Sequence, residues 1–514
     1  MTLRALMPTD IWIRRLLVPV VVFVAMVSDH GYLCDFWHHL ARGRAMAETG
    51  GLVDQDIFTF TIRGEHFQDV NWLSQLLYYG LFQLGGLGLV QVVNALVLAA
   101  TLALLIEVSR RACGSLFWAS MVAVGVFVGI WQLLSLRPQT FSMFLFVLLL
   151  DILERSRRRP WLLVLPPLII ALWTNLHGAF PAGLMLIGCF FLAACGDQFL
   201  CSRIRKNAGE ASDARILANA ATGATAPHRI ALALCLGAST LATLVNPYGW
   251  GIYRYVLHTS QRASQRQIDE WLPPSLDMWI GRAFFISLAV LGVLLVLAWR
   301  KGYRPRLLDI LLLGCFLPMA CTSVRMVAWW LLILAPMAAT LLVVICRQTG
   351  VEEESPQPSL ATGLTFAALL LTAIFSLPGL QEYNPLLRLR QQPRVEDDLE
   401  AAYAHLRTLQ PSGHVFARFE WGEYLSWTFA PSFQVFMDGR IELYPDDVWD
   451  DYSTVTRGSE NWQKVLDDRQ VDVLVLDAEY HARTGLFSKV NSSPHWHRHF
   501  TSRNVAVYLR TRGE

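Results

Sequence analysis

The sequence predicts a mainly α fold: a polytopic transmembrane bundle of about eleven spans with a long first outer loop, followed by a smaller soluble α/β domain. Three observations predict it. Of the 514 residues, 54% are hydrophobic and 16% charged, and the mean hydropathy is +0.37, a balance outside the range of water-soluble chains of this length. Apolar runs recur from Leu16 to Pro378. Beyond Pro378 the composition changes to strand-like runs that alternate with helix-like ones.

The first run, Leu16 to Ser28, follows Arg4, Arg14 and Arg15, lacks a small-residue cleavage site and precedes many further runs, so it reads as a retained anchor. Further runs fall at about 87 to 108, 115 to 131, 138 to 154, 161 to 176, 179 to 200, 229 to 245, 280 to 299, 307 to 322, 326 to 346 and 360 to 378. Several are shorter than the roughly 20 residues that cross a bilayer unaided, notably 161 to 176 with its Pro166-Pro167 pair. With the N-terminus in the cytoplasm, the clusters Arg110-Arg111, Arg155 with Arg157 to Arg159, Arg203 to Lys206 and Arg300 to Arg306 all fall on the cytoplasmic side, as the positive-inside rule requires. That orientation holds only if Trp72 to Leu84 does not span. The segment therefore reads as an amphipathic helix on the outer surface, and Phe36 to Glu48 as a second, within an outer loop of residues 29 to 86. A reentrant or buried helix is the competing reading. Glu107, Asp151 and Glu154 fall at cytoplasmic ends and read as solvated helix ends.

Residues 1–380 form the membrane part, and an odd number of spans leaves residues 381–514 outside as the α/β domain. Its strands are expected at His414 to Phe419, Phe433 to Met437, Val471 to Leu476 and Asn504 to Leu509, and its helices at Trp421 to Thr428, Trp449 to Thr456 and Glu460 to Asp468. Val351 to Ser359 reads as a cytoplasmic loop and Gln381 to Arg394 as the linker. Eight of nine cysteines lie in or beside apolar runs, with neither a disulfide framework nor zinc spacing. A formal net charge of +2 carries no signal for a partner, and no nucleic acid is expected.

This topology brings the polar motifs to one face. They are the first loop (Cys34-Asp35-Phe36-Trp37-His38-His39 through Asp54-Gln55-Asp56), Arg137-Pro138-Gln139, Asn175-Leu176-His177-Gly178, Asn246-Pro247-Tyr248-Gly249-Trp250, Asp269-Glu270-Trp271 and Arg325. Charges at a membrane boundary cost less than the roughly 3 kcal/mol expected at the bilayer centre, yet they are still disfavoured unless useful. Their convergence points to an outward-facing site.

The string Asp35-Phe36-Trp37-His38-His39-Leu40-Ala41-Arg42-Gly43, with Asp56-Ile57-Phe58-Thr59-Phe60-Thr61, Trp72-Leu73, Arg137-Pro138-Gln139, Asn175-Leu176-His177-Gly178, Asn246-Pro247-Tyr248-Gly249 and Glu270-Trp271, resembles a family of bacterial polytopic proteins related to the GT-C glycosyltransferases. The resemblance covers nearly the whole chain, including Trp421-Gly422-Glu423-Tyr424-Leu425 and Phe436-Met437-Asp438-Gly439-Arg440. It implies an inner-membrane transferase that takes a sugar from a polyprenyl-phosphate donor, using an acid of the first outer loop, and passes it to a glycan, lipid or protein acceptor. Many relatives carry His-Glu before the Trp-Leu pair, where this chain has Val70-Asn71.

The chemistry can be read beside that resemblance. Transfer from a phosphate-linked sugar expels a stable anion, so one carboxylate that deprotonates the acceptor suffices, unlike the acid and base pair of glycoside hydrolysis. Asp35 is the expected base; its competing reading is a cap for a helix beginning at Phe36. Arg325 and Arg137 are expected on the donor phosphate, since guanidinium gives bidentate contacts to phosphate oxygens; a snorkelling boundary arginine is the alternative for each. Asp54 and Asp56 suit a divalent cation, an acceptor or a turn, and the sequence requires no cofactor. His38, His39 and His177 show no metal-specifying pairing and read more simply as hydrogen-bonded interfacial histidines. Asn175, Asn246, Tyr248, Glu270 and Trp271 complete the expected site lining, with Glu270 and Trp271 also suited to anchoring at the interface. The competing functions are a transporter, which would need ionisable residues near the midplane and related halves, and a noncatalytic assembly component of an envelope polysaccharide or glycoprotein system.

Overall fold

The computed structural model describes residues 10–28, 34–207, 226–266, 268–346, 360–384, 395–409, 413–430 and 433–511. The acidic loop at 351–359 and the linker residues 385–394 lie outside the described residues. The helices are α1 (Asp10–Val27), α2 (Cys34–Thr49), α3 (Trp72–Cys113), α4 (Leu116–Ile130), α5 (Gln139–Ser156), α6 (Leu165–Leu176), α7 (Phe180–Asn207), α8 (Ala226–Ala242), α9 (Gly251–Gln265), α10 (Trp279–Arg300), α11 (Leu307–Thr322), α12 (Val327–Cys346) and α13 (Leu360–Ile374). After these come α14 (Val395–Leu409), β1 (His414–Ala417), α15 (Phe419–Phe429), β2 (Gln434–Val435), α16 (Asp446–Thr456), α17 (Trp462–Asp468), β3 (Val471–Asp477), α18 (Tyr480–Arg483), α19 (Leu486–Ser492), β4 (Trp496–Thr501) and β5 (Val505–Arg510). The chain divides into two compact units, one of residues 1–28 and 87–385, the other of residues 29–86 and 386–514.

In the first unit every expected apolar run coincides with a helix: α1, the part of α3 beyond Gly86, α4 to α8, and α10 to α13. Among the described residues, Trp72–Cys113, Leu116–Leu133, Phe180–Gln198, Trp279–Arg300 and Val324–Cys346 are long and apolar enough to cross a membrane, and three shorter apolar helices accompany them. The chain is a membrane protein. Its helices keep large apolar side chains outward, as Ile286, Val290, Val293 and Leu297 do on α10 and Val164, Leu168 and Leu172 do on and before α6, which suits a hydrocarbon solvent. Inside, Phe146 of α5 packs against Phe316 of α11 and Trp329 of α12, at ring centroid distances of 5.6 and 5.1 Å. The buried indole tips are satisfied: Trp173 donates to Ser142 Oγ at 2.7 Å and Trp330 to Ser287 Oγ at 2.9 Å.

Two of the three acids expected as solvated helix ends, Asp151 and Glu154, join helices to one another. Asp151 is buried and accepts from Arg111 of α3 and, at 3.1 Å, from Arg155, while Glu154 accepts from Arg306 at 3.3 Å. A buried carboxylate needs such partners, and here they tie α3 and the start of α11 to α5.

In the second unit a five-stranded sheet runs in the order β2-β1-β3-β5-β4, with β1 parallel to β2 and β3, and β5 antiparallel to β3 and β4. The four expected strands and three expected helices are all present. β4 went unforeseen because Trp496-His497-Arg498-His499-Phe500-Thr501 is polar on one face: it is an edge strand with mostly exposed side chains. Alternate residues feed two cores. Phe416, Leu474, Leu476, Ala506 and Tyr508 pack with α16, α17 and α19, whereas Val415, Ala417, Val473, Val475, Val505 and Val507 pack with α14 and α15.

Residues 29–86, which the sequence reading carries within the membrane part, cluster with the tail, and the contacts explain why. Thr59 forms a parallel bridge with Val435, Phe60 donates its N–H to Val435 O at 3.2 Å, and Val435 donates to Phe58 O at 3.3 Å, so the first loop extends the sheet at the β2 edge. The stretch Phe36 to Gly43 of α2, expected on a surface, is buried throughout. Trp37 meets the rings of Tyr424 and Trp427 of α15 at 4.7 and 6.4 Å. Arg44 donates to Trp427 O at 2.8 Å while its guanidinium lies 4.3 Å from the same indole. Helix α3 breaks at Gly85 and Gly86; Gly86, at φ 64° and ψ −165°, holds a conformation essentially restricted to glycine, so residues 72–84 form a helix separate from the apolar run that follows.

Candidate active site

Three residues from well-separated motifs meet in the first unit. Arg137 sits in the turn before α5, Glu270 in a short 3-10 turn (Asp269–Trp271) before α10, and Arg325 in another (Val324–Met326) before α12. Arg137 Nη1 donates to Glu270 Oε1, and Arg325 Nε lies 3.4 Å from Glu270 Oε2, so one carboxylate bridges two guanidiniums. The Trp271 ring lies 5.1 Å from the Arg325 guanidinium, a cation–π contact. The backbone of the Glu270 turn is pinned: Ser323 Oγ donates to Glu270 O, and Val324 N to Leu272 O, both at 2.9 Å. Burial raises the Glu270 carboxyl, but the two guanidiniums outweigh it and hold the group below the ordinary carboxylate range. All three side chains keep partial exposure. The trio carries a formal charge of +1 and adjoins the electropositive N-termini of α5 and α12, which suits an anion.

His177 ends α6 and shares a 2.8 Å hydrogen bond with Ser142 Oγ, the hydroxyl that also receives the Trp173 indole. Arg325 is close enough to act electrostatically on His177. Asn175 donates to Ala171 O at 2.8 Å and to Val245 O at 2.7 Å, tying α6 to the turn after α8. Asn246 organises that turn by donating to Thr243 O and accepting from Tyr248 N at 2.7 Å. The geometry of Asn175, Asn246 and the Tyr248 backbone is thus that of turn builders.

The first-loop residues lie in the second unit. Asp35 is half-buried in the first turn of α2; the helix starts at Cys34, so Asp35 is inside it rather than at a cap before Phe36. His38 and His39 follow it on the buried stretch, with ring centroids 4.0 Å apart. His38 Nδ1 lies 2.9 Å from Glu423 Oε1 of α15, and His39 Nδ1 3.3 Å from Gln75 Nε2. Gln75 also donates to Asp69 at 2.8 Å, and Asp69 pairs with Arg42 at 3.0 Å.

Asp54 and Asp56 part company. Asp54 is exposed, 3.9 Å from His66 Nδ1. Asp56 is buried: one oxygen accepts from Thr59 N and Oγ1 at 2.9 and 2.7 Å, the other from Arg440 Nη2. Arg440 in turn holds Asp438 through Nε at 3.0 and 2.9 Å and Nη2 at 2.7 Å, and Tyr444 donates to Asp438 at 2.9 Å. Burial raises the Asp438 carboxyl, yet Arg440 outweighs it and the net shift is downward; burial lowers Arg440, and Asp438 and Asp56 raise it well above its usual value. Asp56 is thereby committed to protein contacts. Among the described residues no group of three or more histidines, cysteines or acids could hold a metal ion.

Sequence reasoning passed over Ser142, Asp69 and Glu423. Ser142 is a single hydroxyl in an apolar run, and Asp69 sits immediately before the Val70-Asn71 pair. Glu423 stood inside a quoted motif, and only its buried approach to His38 marks it out.

No protein-family model matches the chain, and no curated protein matches it. Among solved structures, the fold is similar to the oligosaccharyltransferase of Archaeoglobus fulgidus tethered with an acceptor peptide containing the NVT sequon, with a TM-score of 0.53 and 13% identity over 98% of this chain and 74% of that one. It is also similar to the same archaeal enzyme, AglB, in complex with an inhibitory peptide and a dolichol-phosphate, with a TM-score of 0.50 and 12% identity over 97% and 74% of the two chains. The likeness is one of fold: a helical membrane protein with a C-terminal sheet-containing domain.

Proposed function

We propose that this membrane protein is a GT-C-type glycosyltransferase of the bacterial inner membrane. It transfers a sugar from a polyprenyl-phosphate-linked donor to an acceptor on the outer face, with inversion, and both the first loop and the C-terminal domain lie in the periplasm. The observation that carries the reading is the convergence of Arg137 and Arg325 on one point of the first unit, from motifs nearly two hundred residues apart. Two guanidiniums flanked by two helix N-termini are suited to hold a phosphate and to stabilise the charge that grows on it as the glycosidic bond breaks. Fold likeness across almost the whole chain supports the same reading.

Asp35 is the proposed base. It takes the acceptor proton as the acceptor oxygen or nitrogen attacks the anomeric carbon from the face opposite the leaving phosphate, so a single displacement inverts the centre. Within the first unit Asn175, His177, Tyr248 and Trp271 have the chemistry to line the phosphate seat, and in the second His38 and His39 follow Asp35 on α2. Asp56 serves the structure, held by Thr59 and Arg440.

The test is transfer from a polyprenyl-phosphate sugar by purified protein in liposomes. Asp35→Asn is expected to lower turnover by about 10²- to 10⁴-fold with donor binding retained. Arg325→Ala is expected to act chiefly on donor affinity and to recover partly at high donor concentration. Near-normal turnover by a folded Asp35→Asn protein would remove Asp35 from the mechanism.

A further inference from the structure

We propose that Glu270 is a specificity-determining residue: it sets the charge of the arginine seat so that a lipid donor with one phosphate is accepted and a diphosphate-linked donor is disfavoured. The inference rests on the reading of Arg137 and Arg325 as the phosphate seat.

The two guanidiniums alone would present a charge of +2, which matches the two negative charges of a diphosphate diester. Glu270 is an obligate part of the same cluster: each carboxylate oxygen faces a different arginine. Both guanidiniums hold its carboxyl ionised, so its negative charge is present at neutral pH. The formal sum falls to +1, the complement of the single charge on a phosphodiester that joins a prenyl chain to a sugar. A second phosphate would have to sit beside the carboxylate. Two like charges in contact at a partly desolvated site cost affinity, and exclusion of the wrong partner by such repulsion is a general route to specificity.

The local architecture keeps the carboxylate in place. The hydrogen bonds from Ser323 Oγ to Glu270 O and from Val324 N to Leu272 O fix the Glu270 turn to the turn that carries Arg325. A guanidinium offers five N–H donors, and Glu270 faces Arg325 at its Nε. A phosphate can therefore join the cluster through the Nη side of Arg325 with the carboxylate retained, and the carboxylate then acts by charge rather than by occupying the seat. Trp271, against Arg325, provides a fluorescent reporter.

The experiment is equilibrium binding to the full-length protein in detergent, read by tryptophan fluorescence and by calorimetry. The two probes share one short prenyl chain and one hexose, joined through one phosphate or through two. Wild type is expected to favour the monophosphate probe, and Glu270→Gln to shift the ratio of the two affinities toward the diphosphate probe by about tenfold, a value reduced for the solvent exposure of the site. Arg325→Ala is expected to weaken both probes. A ratio unchanged by Glu270→Gln, or a wild-type preference for the diphosphate, would overturn the selector role while leaving the seat intact. Unaltered binding of both probes by Arg325→Ala would instead overturn the seat, and the selector with it. Glu270→Asp, which keeps the charge, is expected to retain the wild-type preference; loss of preference there would show that the shape of the turn, not charge, is what selects.

Discussion

Asp56 shows how a single side chain can be read two ways until its neighbours are known. Its spacing from Asp54 suits a cation site, but the fold buries Asp56 against Arg440 and leaves Asp54 in solvent. Removing one partner of a buried ion cluster strands the others, at about 3–5 kcal/mol. Arg440→Met should therefore destabilise the second unit by that order, because it abandons two buried carboxylates, and Asp56→Asn should cost less. Thermal unfolding of the purified variants checks both. His481 supplies a pH signature: burial lowers its imidazole to about 4, below the ordinary 6.5. A depressed histidine is neutral in the folded state, so its contribution is complete above pH 6.5 and is lost as pH falls toward 4. Asp438, also depressed, loses its contribution at lower pH still, in the same direction. The second unit should thus weaken from pH 6.5 to 4 by about 3 kcal/mol through His481. His481→Gln should flatten that window, as measured by hydrogen exchange in β3.

At the scale of elements, the close approach of α15 to the chain after β2 depends on missing side chains. A Cβ on Gly422 would lie 2.1 Å from Met437 O, and one on Gly439 would lie 1.8 Å from Glu423 Oε1. The first clash is with backbone, which cannot rotate away, so Gly422→Ala should cost about 1–3 kcal/mol. Gly439→Ala should displace Glu423 and with it the 2.9 Å approach to His38. Chemical unfolding compares the two, and the histidine NMR signals of Gly439→Ala report whether His38 has lost its partner. α2 is the other instructive element. Its buried run of Phe36 to Gly43 includes two histidines and an arginine, a composition that implies a surface when taken alone. Partners from α15 and from residues 69–78 make its burial affordable, among them Glu423, Asp69 and Gln75.

At the scale of the molecule, the second unit is discontinuous in sequence. Residues 29–86 extend its sheet through Thr59 and Phe60 and fill its core with Ile62. A chain truncated after residue 385 should keep its apolar helices in the membrane but expose residues 50–68 to protease, because β2, Arg440 and α15 are gone. Protection equal to that of the full chain would show that the loop folds without the tail. Topology reporters placed after Gln68 and after Pro393 should both mark the periplasmic side; opposite answers would change the number of spans by an odd count.

The sequence by itself determined the class of this protein and most of its elements. Composition forces a membrane location, and the apolar runs and the alternation in the tail are local patterns that map directly onto α1, the part of α3 beyond Gly86, α4 to α8, α10 to α13, and onto β1, β2, β3 and β5. It also determined that Arg137, Glu270 and Arg325 were worth attention, since charges at membrane boundaries are costly. Only the tertiary structure decided that these three meet, that Asp56 belongs to Arg440, that β4 completes the sheet, and that the first loop clusters with the tail. The physical reason is the same in each case. Helix and strand propensities act over a few residues, whereas an ion pair or an edge-strand bridge joins residues such as Asp56 and Arg440, whose proximity depends on the path of the whole chain between them.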